Sequence, residues 1–299
     1  MASGFVIGIY GPQFVVRVDD MDVRDVPCVL RGRVKKERQR VTSLAVIGDR
    51  VEVILFPDGT GAIESVGPRR TELARPGSGV RARIAAANLD QLVIVQATRS
   101  PAFNRHLVER FLSIAAGGGM AGLVIVNKSD LEDPAVVESW LVPLRSNIVP
   151  IFLTNAKSGQ GIEALRAALS GKMSAMVGQS GVGKSSLMNA LDPELRVRTA
   201  EVSGVTGKGR HTTSASRLYP LAGGGYLADT PGIRELALFE GDRESLAAVF
   251  PEIEEAAPAC RFRGCSHSHE PGCMVKAKVA AGEIEGDRYR HFLKLSAGG

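Results

Sequence analysis

The chain has 299 residues, 44% of them hydrophobic and 23% charged, with a formal net charge of +5. That length suits two or three domains with ample material for their cores, and the basic balance points to a polyanionic partner without telling RNA from a membrane surface. No stretch approaches the ~20 consecutive apolar residues that a membrane-spanning helix needs, which excludes an integral helical membrane protein.

At the N-terminus no basic segment precedes a continuous apolar one, because Gly8, Gly11 and Pro12 interrupt the run. A cytoplasmic protein with no membrane partner is therefore expected. Residues 1 to 68 contain no good helix. Short apolar or alternating runs (Phe5 to Tyr10, Phe14 to Val18, Val26 to Leu30, Arg50 to Leu55, Ala62 to Val66) are divided by Gly, Pro and Asp turns. Five short strands in this space predict a small β-barrel of the OB type. Cys28, alone in an apolar stretch, reads as a small core residue. Between the third and fourth runs stand Arg31, Arg33, Lys35, Lys36, Arg38 and Arg40, six basic residues against the single acid Glu37. On an OB barrel such a loop is expected to track RNA phosphates; on a bland surface it is a solvated loop.

From Asp90 onward strands and helices alternate, the rhythm of a parallel sheet covered on both faces. Leu92 to Ala97 reads as a strand, and Phe103, Leu107, Phe111 and Ile114 share one helix face that the glycines at 117 to 119 end. Val136, Val137, Trp140 and Leu141 mark a second helix, with Trp140 in its core face, and Ile162, Leu165 and Leu169 a third. The strand Leu123 to Val126 runs into Asn127-Lys128-Ser129-Asp130, at the carboxyl edge where such sheets bind ligands. A carboxylate such as Asp130 accepts from both N1–H and the 2-amino group of guanine. Adenine offers neither donor, and the unpaired carboxylate would discriminate by about 10⁴-fold. After Val149 to Leu153, Thr154-Asn155-Ala156-Lys157-Ser158-Gly159 is similar to the S-A-K loop of GTPases, with Asn155 where serine is usual. There the Ala156 N–H would meet the guanine carbonyl, with Lys157 beside it; an ordinary strand-to-helix turn is the plainer reading.

Gly178-Gln179-Ser180-Gly181-Val182-Gly183-Lys184-Ser185 fits G-x-x-x-x-G-K-[ST] between the strand Ser174 to Val177 and a helix from Ser185 to Leu191. Its glycines let the backbone approach phosphates and its amides face the anion. Lys184 is expected at the β/γ oxygens, Ser185 on Mg²⁺, and Ser186 within the same nucleotide site. Gly204 to Thr213 is glycine-rich and basic, the position of a first switch loop, where Thr212 or Thr213 should bind Mg²⁺ and His211 is the nearest group able to act on a water. A contact to RNA or phosphate is the other reading of His211. Asp229-Thr230-Pro231-Gly232 follows the short strand Gly225 to Ala228; Asp229 would hold Mg²⁺ through a water and the Gly232 N–H would meet the γ-phosphate. Ile233 comes next, where Ras-like enzymes carry the glutamine that orients the attacking water, so slow intrinsic hydrolysis is expected.

The order is unusual. NKSD precedes the phosphate loop and DTPG, a cyclic shift of the common arrangement, so the sequence predicts a circularly permuted GTPase. Beyond a short helix around Arg243 to Phe250 stand Cys260, Cys265, His267 and Cys273. Three thiolates and an imidazole predict a closed, structural tetrahedral Zn²⁺ site, with His269 as the alternative imidazole. Domains are expected at 1–68 (barrel), 69–242 (permuted GTPase) and 243–299 (zinc-binding, with a C-terminal helix).

Taken together, the permuted order, the OB-like segment, the run from Gly207 to Thr213, DTPG before an apolar residue, and the stretch from Cys260 to Cys273 resemble the bacterial ribosome small-subunit-dependent GTPase A family over essentially the whole chain. Asn155 and Gly264 are the small departures. The resemblance implies a GTPase stimulated by the small ribosomal subunit and its rRNA, acting late in that subunit's maturation and releasing ribosome-binding factor A. It also implies that His211 positions water. GTP and GDP are the expected ligands, with one Zn²⁺, a Mg²⁺ and a monomeric state. A large-subunit assembly GTPase and a non-catalytic GTP-dependent RNA-binding module are the alternatives.

Overall fold

Short alternating or apolar runs in the first 66 positions produce five strands that close on themselves. They are β1 (Ala2–Tyr10), β2 (Gln13–Val18), β3 (Arg24–Leu30), β4 (Arg50–Leu55) and β5 (Gly61–Val66). Pairing runs β1-β2-β3-β5-β4, and β4 returns to β1. All contacts are antiparallel except β3 with β5. This is the five-stranded Greek-key barrel that the sequence predicts. Its interior holds Val6, Val16, Val18, Val26, Val53 and Ile63. Cys28 is there too, and burial pushes its thiol up to about 11, as befits a core residue. The structure is a computed structural model, and it describes residues 1–19, 24–31, 45–75, 83–147, 149–195, 216–229 and 243–296.

A hairpin of β6 (Glu72–Arg75) and β7 (Arg83–Ala87) follows the barrel. Neither strand is predicted by the sequence, where Ala-rich and basic residues give little period-2 signal. The α/β part then adds β8 (Gln91–Ala97), α1 (Arg105–Gly117), β9 (Ala121–Asn127), α2 (Pro134–Leu141), β10 (Ile151–Leu153), α3 (Ile162–Leu169), β11 (Met173–Val177), α4 (Lys184–Leu191), β12 (Ser216–Pro220) and β13 (Tyr226–Asp229). Its strand order is β10-β9-β8-β11-β13-β12, parallel except for β12. Every residue of β8 is buried, as a central strand covered on both faces requires. Helix α1 starts later than the apolar pattern implies. Asn104 caps it by accepting from Leu107 N, so Phe103 lies outside and stacks on Trp140 at 5.3 Å. Trp140 is thus a packing residue, as expected.

Strand β12 pairs with β1 at Ser216 and Arg217, so the barrel and the parallel sheet are hydrogen-bonded into one eleven-stranded surface. The C-terminal residues form α5 (Arg243–Val249), α6 (Pro251–Ala256), α7 (Met274–Ala280) and α8 (Gly286–Ser296). No helix among the described residues is long and apolar enough to cross a membrane.

One buried ion pair sits where the barrel meets the hairpin. Asp49, fully buried, accepts from Arg69 Nε at 2.7 Å, Arg69 Nη2 at 2.9 Å and Val46 N at 2.8 Å. The adjoining Gly48, at φ +84°, approaches β7 so closely that a Cβ would fall 1.9 Å from the Ala87 carbonyl oxygen. Removing the guanidinium would strand a buried carboxylate. Arg69→Ala is therefore expected to destabilise the fold by about 3–5 kcal/mol, read as a lowered urea midpoint; a loss under 1 kcal/mol would show that Asp49 is rehydrated instead.

Candidate nucleotide site and metal centre

Three loops meet at the carboxyl ends of β9, β10 and β11, and one side chain ties them together. Asn127, 2% exposed at the end of β9, donates through Nδ2 to Val182 O at 2.9 Å. Its Oδ1 accepts from Thr154 Oγ1 and from Ala156 N, both at 3.2 Å. Gly183, at φ +97°, leaves no room for a side chain here, since a Cβ would lie 2.3 Å from Asn127 Nδ2. The carboxamide therefore fixes the spacing of the 127–130, 154–159 and 178–185 loops.

Lys128 adopts a left-handed conformation and donates through Nζ to Ser100 O at 2.5 Å, while its own carbonyl accepts from Thr98 Oγ1 at 2.5 Å. Ser129 N donates to Thr154 O at 3.1 Å, and its buried Oγ has no partner among the described residues. Asp130 is exposed at the mouth of this group. Asn155, where the guanine loop usually has serine, is 9% exposed and turned into its own loop, its Oδ1 accepting from Lys157 N at 2.9 Å and Ser158 N at 3.2 Å. A carboxamide thus builds the turn that a hydroxyl would build more weakly.

The 178–183 segment carries glycines of positive φ at 178, 181 and 183 and leads into α4. Val182 is buried; Gln179, Ser180 and Gly181 are exposed, and Ser185 and Ser186 are half-buried in the first helical turn. Lys184 Nζ lies over the loop, donating to Gly178 O and Gln179 O at 2.7 Å each. A Cβ on Gly181 would fall 3.6 Å from Ser100 O and Pro101 Cδ, so the residues after β8 form one wall. Sequence reasoning does not single out Thr98 and Ser100; the signal for them is a polar stretch directly after a wholly apolar strand at the ligand-binding edge. Asp229 ends β13 beside β11. His211, Thr212, Thr213 and Gly232 lie outside the described residues, as do Arg33, Lys35, Lys36, Arg38 and Arg40. Arg31, at the barrel rim, is exposed and pairs with Glu64 at 2.5 Å.

In the C-terminal part Cys260, Cys265, His267 and Cys273 converge, with their ligand atoms all within 4.8 Å of one another, and could hold a metal ion. His267 Nδ1 lies 3.6 Å from Cys260 Sγ and 3.5 Å from Cys273 Sγ, and the two sulfurs are 3.9 Å apart. All four cysteines of the chain are free thiols. His267 takes a left-handed backbone (φ +63°) that turns its ring inward, and Tyr289 Oη donates to its carbonyl at 2.6 Å. His269 is exposed and bonded to Ser268, so the alternative imidazole stands outside the cluster.

This region is clamped to the α/β part by a buried ionic group that the sequence did not disclose. Glu109, fully buried on α1, meets Arg288 Nη1 at 2.7 Å and His291 Nδ1 at 2.5 Å, both from α8. Arg288 also donates to Glu252 and to Val249 O. At the edge, Asp287 bonds His106 at 2.8 Å and Arg105 at 2.6 Å, and these partners hold its carboxyl down at about 2.

Residues 66–239 match the family described as RsgA GTPase. The chain is 43% identical over 270 residues to the small ribosomal subunit biogenesis GTPase RsgA of Gemmatimonas aurantiaca, covering 89% of this chain and 88% of the relative. To the protein of that name from Moorella thermoacetica it is 41% identical, covering 99% and 96%. Among solved structures it resembles YjeQ from Thermotoga maritima, with a TM-score of 0.78, 33% identity and coverage of 98% and 96%. It also resembles YloQ, described as a circularly permuted GTPase, with a TM-score of 0.73, 27% identity and coverage of 98% and 93%. Three nucleotide loops in shifted order, an N-terminal five-stranded barrel and a Cys3His cluster thus have one common explanation: the chain belongs to the RsgA GTPase family and is a circularly permuted GTP hydrolase.

Proposed function

We propose that this GTPase acts in late maturation of the small ribosomal subunit, that the subunit stimulates its turnover, and that turnover helps release ribosome-binding factor A. The observation that carries the reading is the Asn127-centred junction of three nucleotide loops on a chain that also bears a barrel and a metal cluster. The names of its relatives, which are small-subunit biogenesis GTPases, supply the ribosome. Its working units are 1–68, 69–242 and 243–299, acting as a monomer with no membrane partner. The barrel loop with Arg31, Arg33, Lys35, Lys36, Arg38 and Arg40 takes the rRNA phosphates.

In the nucleotide site, Asp130 reads the guanine edge from its exposed position, and Asn127, Lys128, Ser129, Ala156 and Lys157 frame the base. The amides of Gly178 to Lys184 and the first turn through Ser186 face the phosphates, with Lys184 Nζ on the β/γ oxygens. Ser185 and Thr213 would hold Mg²⁺, with Asp229 acting through a water and Thr212 as the alternative ligand, and the ion would supply charge neutralisation at the phosphates. Gly232 meets the γ-phosphate. Ile233 offers no polar group to the attacking water, so His211 orients it when the subunit is bound.

For the metal we propose a single structural Zn²⁺. A tetrahedral zinc with Zn–S of 2.3 Å and Zn–N near 2.05 Å has S–S edges of about 3.8 Å and S–N edges of about 3.6 Å. The separations among Cys260, His267 and Cys273, 3.9, 3.5 and 3.6 Å, agree with those edges, and Cys265 lies within 4.8 Å of each. Four protein ligands leave no position for a water, so the ion stabilises and does not catalyse.

The decisive assay is GTP turnover with and without purified subunits. Stimulation by the small subunit alone is expected; stimulation by the large subunit, or no turnover at all, would overturn the reading. Asn127→Ala leaves the Val182 carbonyl and the Ala156 amide unpaired, at about 1–3 kcal/mol each, so GTP affinity should fall at least tenfold in titration calorimetry. Asp130→Asn should turn preference from GTP toward xanthosine triphosphate; unchanged GTP affinity in competition would show that this loop does not read the base. Cys260→Ala should lose the metal and unfold only the cluster, measured by elemental analysis and proteolysis, because bound zinc supplies the folding energy of so small a unit.

A further inference from the structure

The loop joining the first two cluster ligands carries Arg261, Phe262 and Arg263, all exposed. Phe262 keeps 45% of its surface in water, and the Arg261 guanidinium carbon lies 5.6 Å from its ring centroid. Single exposed apolar residues are ordinary on a protein surface. This one differs in how it is mounted and in what surrounds it.

The mount is stiff. Arg261 N donates to Gly272 O at 3.1 Å and Cys265 N to Phe262 O at 3.3 Å. Met274 N donates to Cys260 Sγ at 3.3 Å. The aliphatic stem of Arg261 covers Gly272 so closely that a Cβ there would lie 3.1 Å from it. With a cluster ligand at each end, the ring is held out at little further entropic cost on binding. The surroundings are cationic. Between Cys260 and Ala280 the chain has four basic residues and one acid, Glu270. That acid is turned onto its own loop, accepting from Ser266 N at 2.7 Å and His269 N at 3.3 Å. Neither Arg261 nor Arg263 forms an ion pair with a described residue.

A rigid exposed ring between two guanidiniums that meet no described carboxylate matches a flat, uncharged π-face with an anion on either side. An unpaired nucleotide in RNA has that form, whereas a base inside a duplex hides its faces. An acidic peptide would satisfy the arginines and leave the ring wet. We propose that the Arg261–Phe262–Arg263 tip is a stacking platform for one unpaired RNA base, whose flanking phosphates the two arginines take. This rests on the reading of RNA as the partner and names how the metal loop would engage it.

The chain has one tryptophan, so Phe262→Trp combined with Trp140→Phe puts the only indole at the tip. In the zinc-loaded full chain, a short single-stranded RNA should quench that indole and the same sequence annealed to its complement should not. Phe262→Ala should weaken single-strand binding by about 5- to 150-fold, the range for loss of one base stack. Zinc content and RNA-free GTP turnover should stay unchanged. Arg263→Gln should lower the slope of log Kd against log salt by about 0.7, the change for one phosphate no longer neutralised. An indole unmoved by a single strand that binds, an equal Phe262→Ala loss on duplex, or displacement of the RNA by polyglutamate would overturn the proposal. If small-subunit stimulation persists while the indole stays unquenched, only this inference falls; if neither RNA nor subunit binds, the broader reading falls with it.

Discussion

The carboxamide of Asn127 is the contact on which the proposed nucleotide site depends. It is buried, its donor and acceptor are both used, and its three partners come from the loops that begin at residues 154 and 178, joining both to its own. A buried amide of this kind is costly to leave half-satisfied, so the three loops adopt one mutual geometry or none. Chain order does not enter that constraint. What the carboxamide specifies is spatial adjacency at the carboxyl ends of β9, β10 and β11, and those ends stay adjacent wherever the chain is opened. A permuted sequence can therefore build the same loop geometry that the proposed guanine and phosphate site requires.

Opening the chain elsewhere does alter what the sheet joins. In this fold β12 is the edge of the α/β sheet, and instead of facing solvent it hydrogen-bonds to β1 of the barrel. An exposed strand edge is an aggregation hazard, and here the barrel covers it. The buried Asp49–Arg69 pair and the close approach of Gly48 to Ala87 of β7 separately tie the barrel to the β6–β7 hairpin. Barrel and sheet are consequently one hydrogen-bonded body, and a force on the barrel rim reaches β13, the strand that carries Asp229, through a single intervening strand.

Much of this was legible in the residues. Phosphate loop, NKSD, DTPG and the Cys3His spacing are local patterns whose chemistry needs those residue types, and the five barrel strands follow from short alternating or apolar runs between turn residues. Trp140 was readable as core from its helix position. The β6–β7 hairpin was not, because a run such as Arg83-Ile84-Ala85-Ala86-Ala87 has no distinct apolar face and helix-favouring alanines. The ionic seam around Glu109 was equally hidden. Its partners lie 179 and 182 residues away, and nothing short of the fold says that a glutamate between Val108 and Phe111 is buried against an arginine and a histidine from α8. The inward turn of Asn155 was also beyond the sequence, which shows a substitution but not that its side chain serves its own loop.

That seam bears on how the protein is made. Glu109 is synthesised 179 residues before Arg288, an interval of about 10–40 s at about 5–20 residues per second. Until α8 arrives, the carboxylate can meet only Arg105 of its own helix, at 3.7 Å, and keeps the rest of its hydration, because a charge so incompletely paired is too costly to bury. The face of α1 that will pack against α8 is held open for that whole interval, however early the parallel sheet beneath it forms. Closure of the α/β part is thus timed by the arrival of a helix from the far end of the fold, a checkpoint on completeness written into one buried side chain.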